Sequence, residues 1–264
     1  MGLWWCVLGA VGVLDGVFLQ TPYRNDDYAA RREQALIIAV NCTAPSATCF
    51  CPSMGSGPGA QGGFDLALTE VVGEGEHWFL VAAGSPRGRA LLTDLPLGLA
   101  NRTALAAVEG LLERATAQIT RHLDRAGLGK RLQENPLHPH WENVAARCLA
   151  CGNCTSVCPT CFCTTTEEQI SLDGRVSERL QRWDSCFSAE FSELGGIPVR
   201  QSTQSRYRQW LTHKLSSWID QFGCSGCVGC GRCITWCPVG IDLTAEAQAL
   251  RQSEPTAGEN HGGS

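Results

Sequence analysis

The 264-residue sequence lacks several features that would assign it to common functional classes. Its longest N-terminal apolar stretch, Gly2–Leu14, has 13 residues and no basic flank, whereas roughly 20 apolar residues are needed to span a bilayer. The net charge is only −5 and no block of basic residues is present, so charge gives no reason to expect a nucleic-acid partner. We therefore expect no membrane span and no nucleic-acid binding.

The sequence also lacks the glycine patterns of nucleotide-binding proteins. No G-x-G-x-x-G motif follows a strand-like run, and the glycine-rich stretch Gly55–Gly59 is not followed by Gly-Lys-Ser or Gly-Lys-Thr. We interpret that stretch as a tight backbone turn beside the cysteines that precede it. Because no residues are set apart for substrate chemistry, the chain is expected to be non-catalytic by itself.

Cysteine, in contrast, is abundant, with 16 in the chain. Such a number indicates either disulfides in an oxidising compartment or thiolate ligands in a reducing one. Thiols crowded into C-x2-C loops favour the second possibility, because they can surround one metal centre but seldom cross-link a secreted fold well. A reducing, cytoplasmic location is therefore expected.

Two cysteine runs in the C-terminal half have the spacing C-x2-C-x2-C-x3-C followed by proline. In ferredoxin-type runs of this kind, three thiolates hold one [4Fe–4S] cluster and the fourth ligates the other cluster. The predicted ligands of one cluster are Cys148, Cys151, Cys154 and Cys237. Those of the other cluster are Cys227, Cys230, Cys233 and Cys158. A pair of zinc sites is the alternative, but zinc takes four ligands and leaves the later cysteines of each run unexplained.

Glycines beside these thiols should let backbone amides approach the sulfurs, where hydrogen bonds raise the reduction potential. They are Gly152, Gly229 and Gly231.

Two further sets of cysteines are harder to assign. Cys42, Cys49 and Cys51 lie within ten residues, and Cys6 ends an apolar run upstream. These four either hold a third iron–sulfur cluster or pack as small buried apolar residues. The remaining cysteines are interpreted as packing near the cluster loops, with another metal site as the alternative. They are Cys161, Cys163, Cys186 and Cys224.

Strand-like runs and glycine-rich turns fill the first part of the chain, and helical patterns follow. Ala35–Val40 is predicted to be a buried strand, and Phe64–Val72 with Trp78–Ala83 a hairpin. Apolar residues at helical spacing predict an amphipathic helix from about Leu105 to Ile119.

These patterns predict an α+β chain in which a mixed α/β domain precedes a mainly α-helical, ferredoxin-like domain with two clusters. The expected boundaries are 1–98 for the mixed domain, 99–140 for a connecting helix and linker, 141–250 for the dicluster domain and 251–264 for a disordered tail.

The two cysteine runs are separated by 68 residues, between Cys158 and Cys227, far more than in a compact bacterial ferredoxin. A helix over Ser202–Phe222 and a shorter one near Thr166–Ile170 are predicted to lie in this interval. This arrangement resembles the α-helical ferredoxins of reductase iron–sulfur subunits.

Two sets of side chains in this half allow two interpretations each. Arg206, Arg208 and Lys214 are expected on a solvated helix face, with a docking surface as the alternative. Trp183 and Trp236 are expected in the core, with shielding of the clusters from water as the alternative.

Several segments resemble the β subunit, the iron–sulfur subunit, of cytosolic NiFe hydrogenases of the sulfhydrogenase type. They are Asn41–Gly57 (NCTAPSATCFCPSMGSG), Phe64–Glu70 (FDLALTE), Arg147–Cys163 (RCLACGNCTSVCPTCFC), Arg182–Phe187 (RWDSCF) and Ser205–Asp242. The resemblance extends from about Cys6 to Leu243. The related iron–sulfur subunit of anaerobic sulfite reductase shares this layout, and the motifs discriminate poorly between the two.

The resemblance implies an electron-transfer subunit within a complex. Its implied partners are a flavin subunit that exchanges electrons with NAD(P)H and the small and large hydrogenase subunits. It also implies that Cys6, Cys42, Cys49 and Cys51 stay together in the family, which favours a third cluster. The chain is expected to begin inside the family's first domain, and Trp4–Val7 stands where an Arg-Pro-Cys-Asp-like stretch is expected.

Two other functions stay open at this point. One is a subunit of a sulfite or polysulfide reductase; the other is a binding or sensor module that uses clusters or zinc as structural staples. Cluster potentials span roughly −700 to +450 mV, so sequence does not determine the direction of electron flow.

Overall fold

The computed structural model describes residues 2–73 and 75–252. Residues 253–264 of the predicted tail lie outside the described residues. The described chain contains both helices and small sheets, which confirms the α+β class. None of the helices within these two ranges is both long and apolar enough to cross a membrane.

The strands of the described chain are short. They are β1 Gly2–Trp4, β2 Ile38–Val40, β3 Leu66–Gly73, β4 Glu76–Ala83, β5 Thr164–Ile170, β6 Ser177–Trp183, β7 Glu193–Leu194 and β8 Ile197–Pro198. The α-helices of the N-terminal part are α1 Trp5–Phe18, α2 Asp26–Gln34, α3 Cys51–Met54, α4 Pro86–Thr93 and α5 Arg102–Gln118. Those that follow are α6 Leu128–Glu134, α7 His140–Arg147, α8 Asn153–Ser156, α9 Thr203–Thr212, α10 Trp218–Phe222, α11 Arg232–Thr235 and α12 Leu243–Arg251. A 3-10 turn covers Glu190–Ser192, and a π-helical segment, His213–Ser217, joins α9 to α10.

The chain divides into two compact units. The first comprises residues up to His122 together with Cys224–Arg232, and the second comprises Leu123–Gly223 together with the residues from Cys233 onward. The domain boundaries expected from the sequence stay predictions.

The first unit is organised around a four-stranded sheet of order β1-β2-β3-β4. β1, β2 and β3 are parallel neighbours, and α1 and α2 supply the crossover that a parallel pair requires. β3 and β4 form the predicted antiparallel hairpin, with Leu66 opposite Ala83. The apolar face of this sheet packs into a small core whose buried members are Leu8, Ile37, Ala39 and Ala67.

The second unit is mainly helical. α7 packs against α9 and α12, and the contacts are dominated by large buried side chains. These include Trp141, Val144, Tyr207, Trp210, Leu211, Trp218 and Leu250. The predicted long helix is confirmed from residue 203 to 222, but its middle turn is π-helical.

The short helix predicted near Thr166–Ile170 is wrong, because this segment lies in strand β5. β5 pairs with β6 along its whole length, from Thr164 opposite Trp183 to Ile170 opposite Ser177. The β-branched threonines suit an extended backbone, and the ladder hydrogen bonds of the hairpin outweigh the helix preference of its glutamates.

The expectation that Trp183 and Trp236 are core residues is also wrong. Their side chains are 78% and 61% exposed, respectively. Helical spacing does not apply to either residue, because Trp183 ends a solvent-facing strand and Trp236 lies in the turn before Cys237.

Candidate iron–sulfur sites

The first cysteine run has a tightly coiled backbone. Helix α7 leads to Cys148, after which Ala150 and Gly152 both adopt left-handed conformations, with φ values of 51° and 74°. The amide of Ala150 donates a hydrogen bond to Cys148 Sγ at 3.4 Å. Helix α8 then ends in a turn in which the amide of Cys158 donates to Thr155 O at 3.3 Å. The loop therefore brings the amide of Ala150 to one sulfur, and the expected approach of an amide at Gly152 stays a prediction.

The second run repeats this geometry at equivalent positions. Gly229 and Gly231 are left-handed, with φ values of 65° and 69°, and the amide of Gly229 donates to Cys227 Sγ at 3.4 Å. Helix α11 ends in a turn in which the amide of Cys237 donates to Ile234 O at 3.3 Å. The side chains between the cysteines differ in the two runs, but the backbone conformation is the same. We therefore attribute this conformation to the cysteine spacing that the runs share.

A cavity in the second unit collects the predicted ligands of one cluster. The four that line it are Cys148, Cys151, Cys154 and Cys237. Its apolar walls include Phe187, Tyr207, Trp210, Ile241 and Leu243. Cys233, which is assigned to the other cluster, also reaches the lining. Residues far apart in sequence are thus gathered around one space.

The chemistry of this cavity fits a [4Fe–4S] cluster. Burial, followed by the neighbouring thiol of Cys148, raises the pKa of Cys154 to about 12, so these thiols oppose one another's ionisation. Bound iron supplies the positive charge that lets all of them become thiolates. The amide of Ile241 donates to Cys237 Sγ at 3.3 Å, a contact that favours the anionic sulfur. A cluster held here would accept or release one electron.

The predicted ligands of the other cluster are spread along the chain. Cys227 and Cys230 belong to the first unit, and Cys158 and Cys233 belong to the second. The assignment of these four to one cluster stays a prediction.

Lys214 corrects the expectation of a solvated helix face. Its side chain is only 5% exposed, and its ammonium donates hydrogen bonds to Cys158 Sγ at 3.1 Å and Thr160 Oγ1 at 2.9 Å. Arg206 and Arg208 instead donate to the carbonyls of Phe187 and Pro136. The apolar stripe of the long helix gave no sign of this residue, because the π-helical segment alters the register at that point.

The neighbours of the Cys158 thiol favour its anionic form. A hydrogen bond from the Cys161 thiol, then the Lys214 ammonium and the Thr160 hydroxyl, hold the pKa of Cys158 well below its usual value despite burial. Cys161 therefore packs against a predicted ligand, as one of the two sequence interpretations held.

A second thiol pair lies at the base of the β5–β6 hairpin. Cys186 donates a hydrogen bond to the thiol of Cys163 and lowers its pKa to about 7. The amide of Asp184 also donates to Cys163 O at 2.9 Å. Cys224 is exposed and belongs to the first unit.

The N-terminal cysteines are neighbours in the first unit. Burial, and then the charge of nearby cysteines, raises the pKa of Cys6 to about 11 and that of Cys51 to about 12. Cys42 and Cys49 contribute to both shifts, so the structure brings together the four thiols that the sequence grouped. Cys49 Sγ also lies 3.8 Å from Cys230 O.

Residues 2–73 and 75–252 contain no group of three or more His, Cys, Asp or Glu side chains arranged to hold a single metal ion. A cubane distributes its thiolates over four irons, so its ligands need not meet at one ion.

Comparison with known proteins identifies the family. A family model described as a 4Fe-4S dicluster domain matches residues 147–241. The chain is 32% identical over 252 residues to Sulfhydrogenase 2 subunit beta of Pyrococcus furiosus, an alignment that covers 94% of this chain and 72% of that relative. The chain belongs to the sulfhydrogenase beta-subunit family. No solved structure matches it.

As a sulfhydrogenase beta subunit, the chain is an iron–sulfur electron-transfer protein with two [4Fe–4S] clusters. Membership of a subunit family implies that other subunits accompany it.

Proposed function

We propose that this chain transfers electrons between a flavin subunit that uses NAD(P)H and the small and large subunits of a cytoplasmic nickel–iron hydrogenase. The observation that supports this proposal most is the gathering of four cysteines from both runs around one apolar cavity. This arrangement serves electron transfer, because the residues lining it supply thiolate ligands, amide donors and apolar shielding.

We propose the crossed ligand assignment for the two clusters. One set is Cys148, Cys151, Cys154 and Cys237; the other is Cys227, Cys230, Cys233 and Cys158. The repeated loop geometry supports equivalent roles for equivalent cysteines, and the fourth cysteine of each run follows a turn that separates it from the first three.

The layout proposed for these parts is a mixed α/β domain followed by a mainly helical ferredoxin-like domain with both cysteine runs. The helical packing of α7, α9 and α12 supports the second element of this proposal.

Iron and acid-labile sulfide analysis of the anaerobically purified chain tests the cofactor assignment. We expect at least about eight irons per chain, four for each of the two clusters, and an EPR spectrum of two magnetically coupled reduced clusters. Zinc without iron would contradict the proposal and support a zinc-stapled binding module.

The metal content of the purified complex tests the partners. Nickel in stoichiometric amount, with NAD(P)H-dependent reduction of the clusters, is the expected result. Sirohaem in place of nickel would instead assign the chain to a sulfite reductase, the alternative that the sequence left open.

A third cluster is proposed on Cys6, Cys42, Cys49 and Cys51. Its support is the mutual proximity of these thiols in the first unit. About twelve irons per chain are then expected, with a loss of about four in C42S. Unaltered iron content in C42S would argue that these cysteines are only packed apolar residues.

A further inference from the structure

The long helix before the second cysteine run is interrupted where it faces Cys158. The π-helical segment His213–Ser217 separates α9 from α10. Such segments are rare and often occur at functional sites. Here three consecutive side chains, Lys214, Leu215 and Ser216, are all buried. The interruption therefore places a lysine inside the second unit, where a regular amphipathic helix would place mainly apolar residues.

The buried ammonium contacts the thiol of a predicted cluster ligand. Lys214 Nζ lies 3.1 Å from Cys158 Sγ and 2.9 Å from Thr160 Oγ1, while Cys158 Sγ and Thr160 Oγ1 are 3.0 Å apart. These three polar groups form a closed triangle. An ammonium removed from water is costly unless polar partners compensate it, and Cys158 Sγ and Thr160 Oγ1 both lie within hydrogen-bond distance of Lys214.

The equivalent thiol of the other run has a different partner. Cys237 Sγ accepts a hydrogen bond from the uncharged amide of Ile241 at 3.3 Å. Arg147 also acts electrostatically on Cys237, but its guanidinium is bound to Glu246 at 2.7 Å. The sulfur of Cys158 therefore has a positively charged donor, whereas that of Cys237 has a neutral donor.

We propose that Lys214 is a positioning residue that holds the Cys158 thiolate and raises the reduction potential of the cluster that Cys158 ligates. The inference rests on the ligand assignment proposed above. On reduction one electron enters the cluster, no bond is made or broken, and Lys214 keeps its proton. The added negative charge is stabilised by a fixed ammonium beside one ligand sulfur, so the reduced state gains more than the oxidised state.

The test is an EPR-monitored redox titration of the full chain, purified without oxygen. K214M removes the charge and keeps a long apolar side chain. The cluster ligated by Cys158 is identified as the one whose signal changes in C158S. We expect the midpoint potential of that cluster to fall in K214M by more than that of the other cluster, on whose predicted ligand Cys154 Lys214 acts only through its charge.

Two matched variants separate charge from other effects. K214R keeps the positive charge and is expected to lie closer to wild type than K214M does. R208M removes a positive charge from α9, where Arg208 contacts Pro136 O, and should leave both potentials unchanged.

Several results would overturn the inference. One is K214M with full iron content and two wild-type potentials, and another is a larger shift in the cluster that C158S leaves unaltered than in the cluster that it alters. K214R with a potential as low as K214M would exclude the role of charge. If K214M loses iron, the neutral variant K214Q is titrated instead. An unaltered midpoint potential in K214Q would also overturn the inference. A wild-type chain without reducible clusters would instead refute the proposed function itself.

Discussion

In both cysteine runs the second residue after the first cysteine has a left-handed backbone, but this residue is Ala150 in one run and Gly229 in the other. In both runs its amide donates to the sulfur two residues earlier, at 3.4 Å. The surroundings differ. A Cβ on Gly229 would lie 2.7 Å from the backbone of Cys51, whereas Ala150 accommodates its own Cβ. Cysteine spacing and backbone donors therefore determine the conformation of the loop. Neighbouring chain segments determine which side chain fits at its left-handed position.

The fourth cysteines extend this comparison. Cys158 has a buried ammonium and a hydroxyl beside its sulfur, and Cys237 has a backbone amide. Two runs with the same spacing can therefore present their clusters with different electrostatic surroundings.

The crossed ligation is tested by changing each fourth cysteine alone. We expect C158S and C237S each to lose or alter one cluster, with a loss of about four irons, because a serine hydroxyl is a poor ligand for these irons. The clusters should be different ones: the EPR signal left by C158S should match that of C227S, and that of C237S should match C148S. C224S, at an exposed cysteine, is the control with full iron content.

A match between C158S and C148S would show that each run holds its own cluster.

The packing difference at the left-handed position is tested by G229A. We expect a loss of about 2 to 5 kcal/mol of stability, from the left-handed backbone and from the clash with Cys51. The measurement is anaerobic unfolding in urea, followed by circular dichroism. G223A is the matched control, because Gly223 has φ of 70° with open space around it, so it carries only the backbone cost. Equal losses in both variants would remove the packing argument.

The connection between the helices that flank the two runs is tested by E246Q. Glu246 on α12, after the second run, accepts hydrogen bonds from Arg147 at 2.7 Å and His140 at 2.6 Å on α7, before the first run. Because Glu246 is buried and these bonds are charge-assisted, we expect a loss of about 2 kcal/mol in the same unfolding experiment. E142Q, on the exposed side of α7, should change stability by less than about 0.5 kcal/mol.

Stability of E246Q equal to that of E142Q would mean that the two helices do not depend on this contact.

The smallest expected effect comes from A150G, which gives the first run the residue of the second. Glycine relieves the left-handed strain of Ala150, although it also loosens the unfolded chain, so we expect a gain of about 0.5 to 1 kcal/mol. A106G, at an exposed position inside α5, is the opposite control, with an expected loss of about 0.5 to 1 kcal/mol. A loss in A150G would show that its methyl group contributes packing that outweighs the strain.

Local patterns predicted much of the fold. The β3–β4 hairpin, the helix α5 and the long helix up to Phe222 were all readable, because periodicity and turn residues act over a few positions. The helix expected over Thr166–Ile170 failed because its ladder hydrogen bonds come from the partner strand β6, on the other side of a turn that short-range periodicity did not indicate. The exposure of Trp183 and Trp236 could not be predicted either. It depends on whether the end of strand β6 and the turn before Cys237 face solvent or the core.

The presence of two cysteine runs with the spacing of a dicluster protein could be recognised from the amino-acid sequence alone, because ligand spacing within a short loop is a local property. Only the tertiary structure brought Cys237 to the cavity of Cys148, Cys151 and Cys154, since that approach depends on how α7, α9 and α12 pack. The direction of the Lys214 side chain also depends on the tertiary structure. The π-helical segment alters the register of the helix, so the ammonium is buried and faces Cys158 Sγ and not solvent.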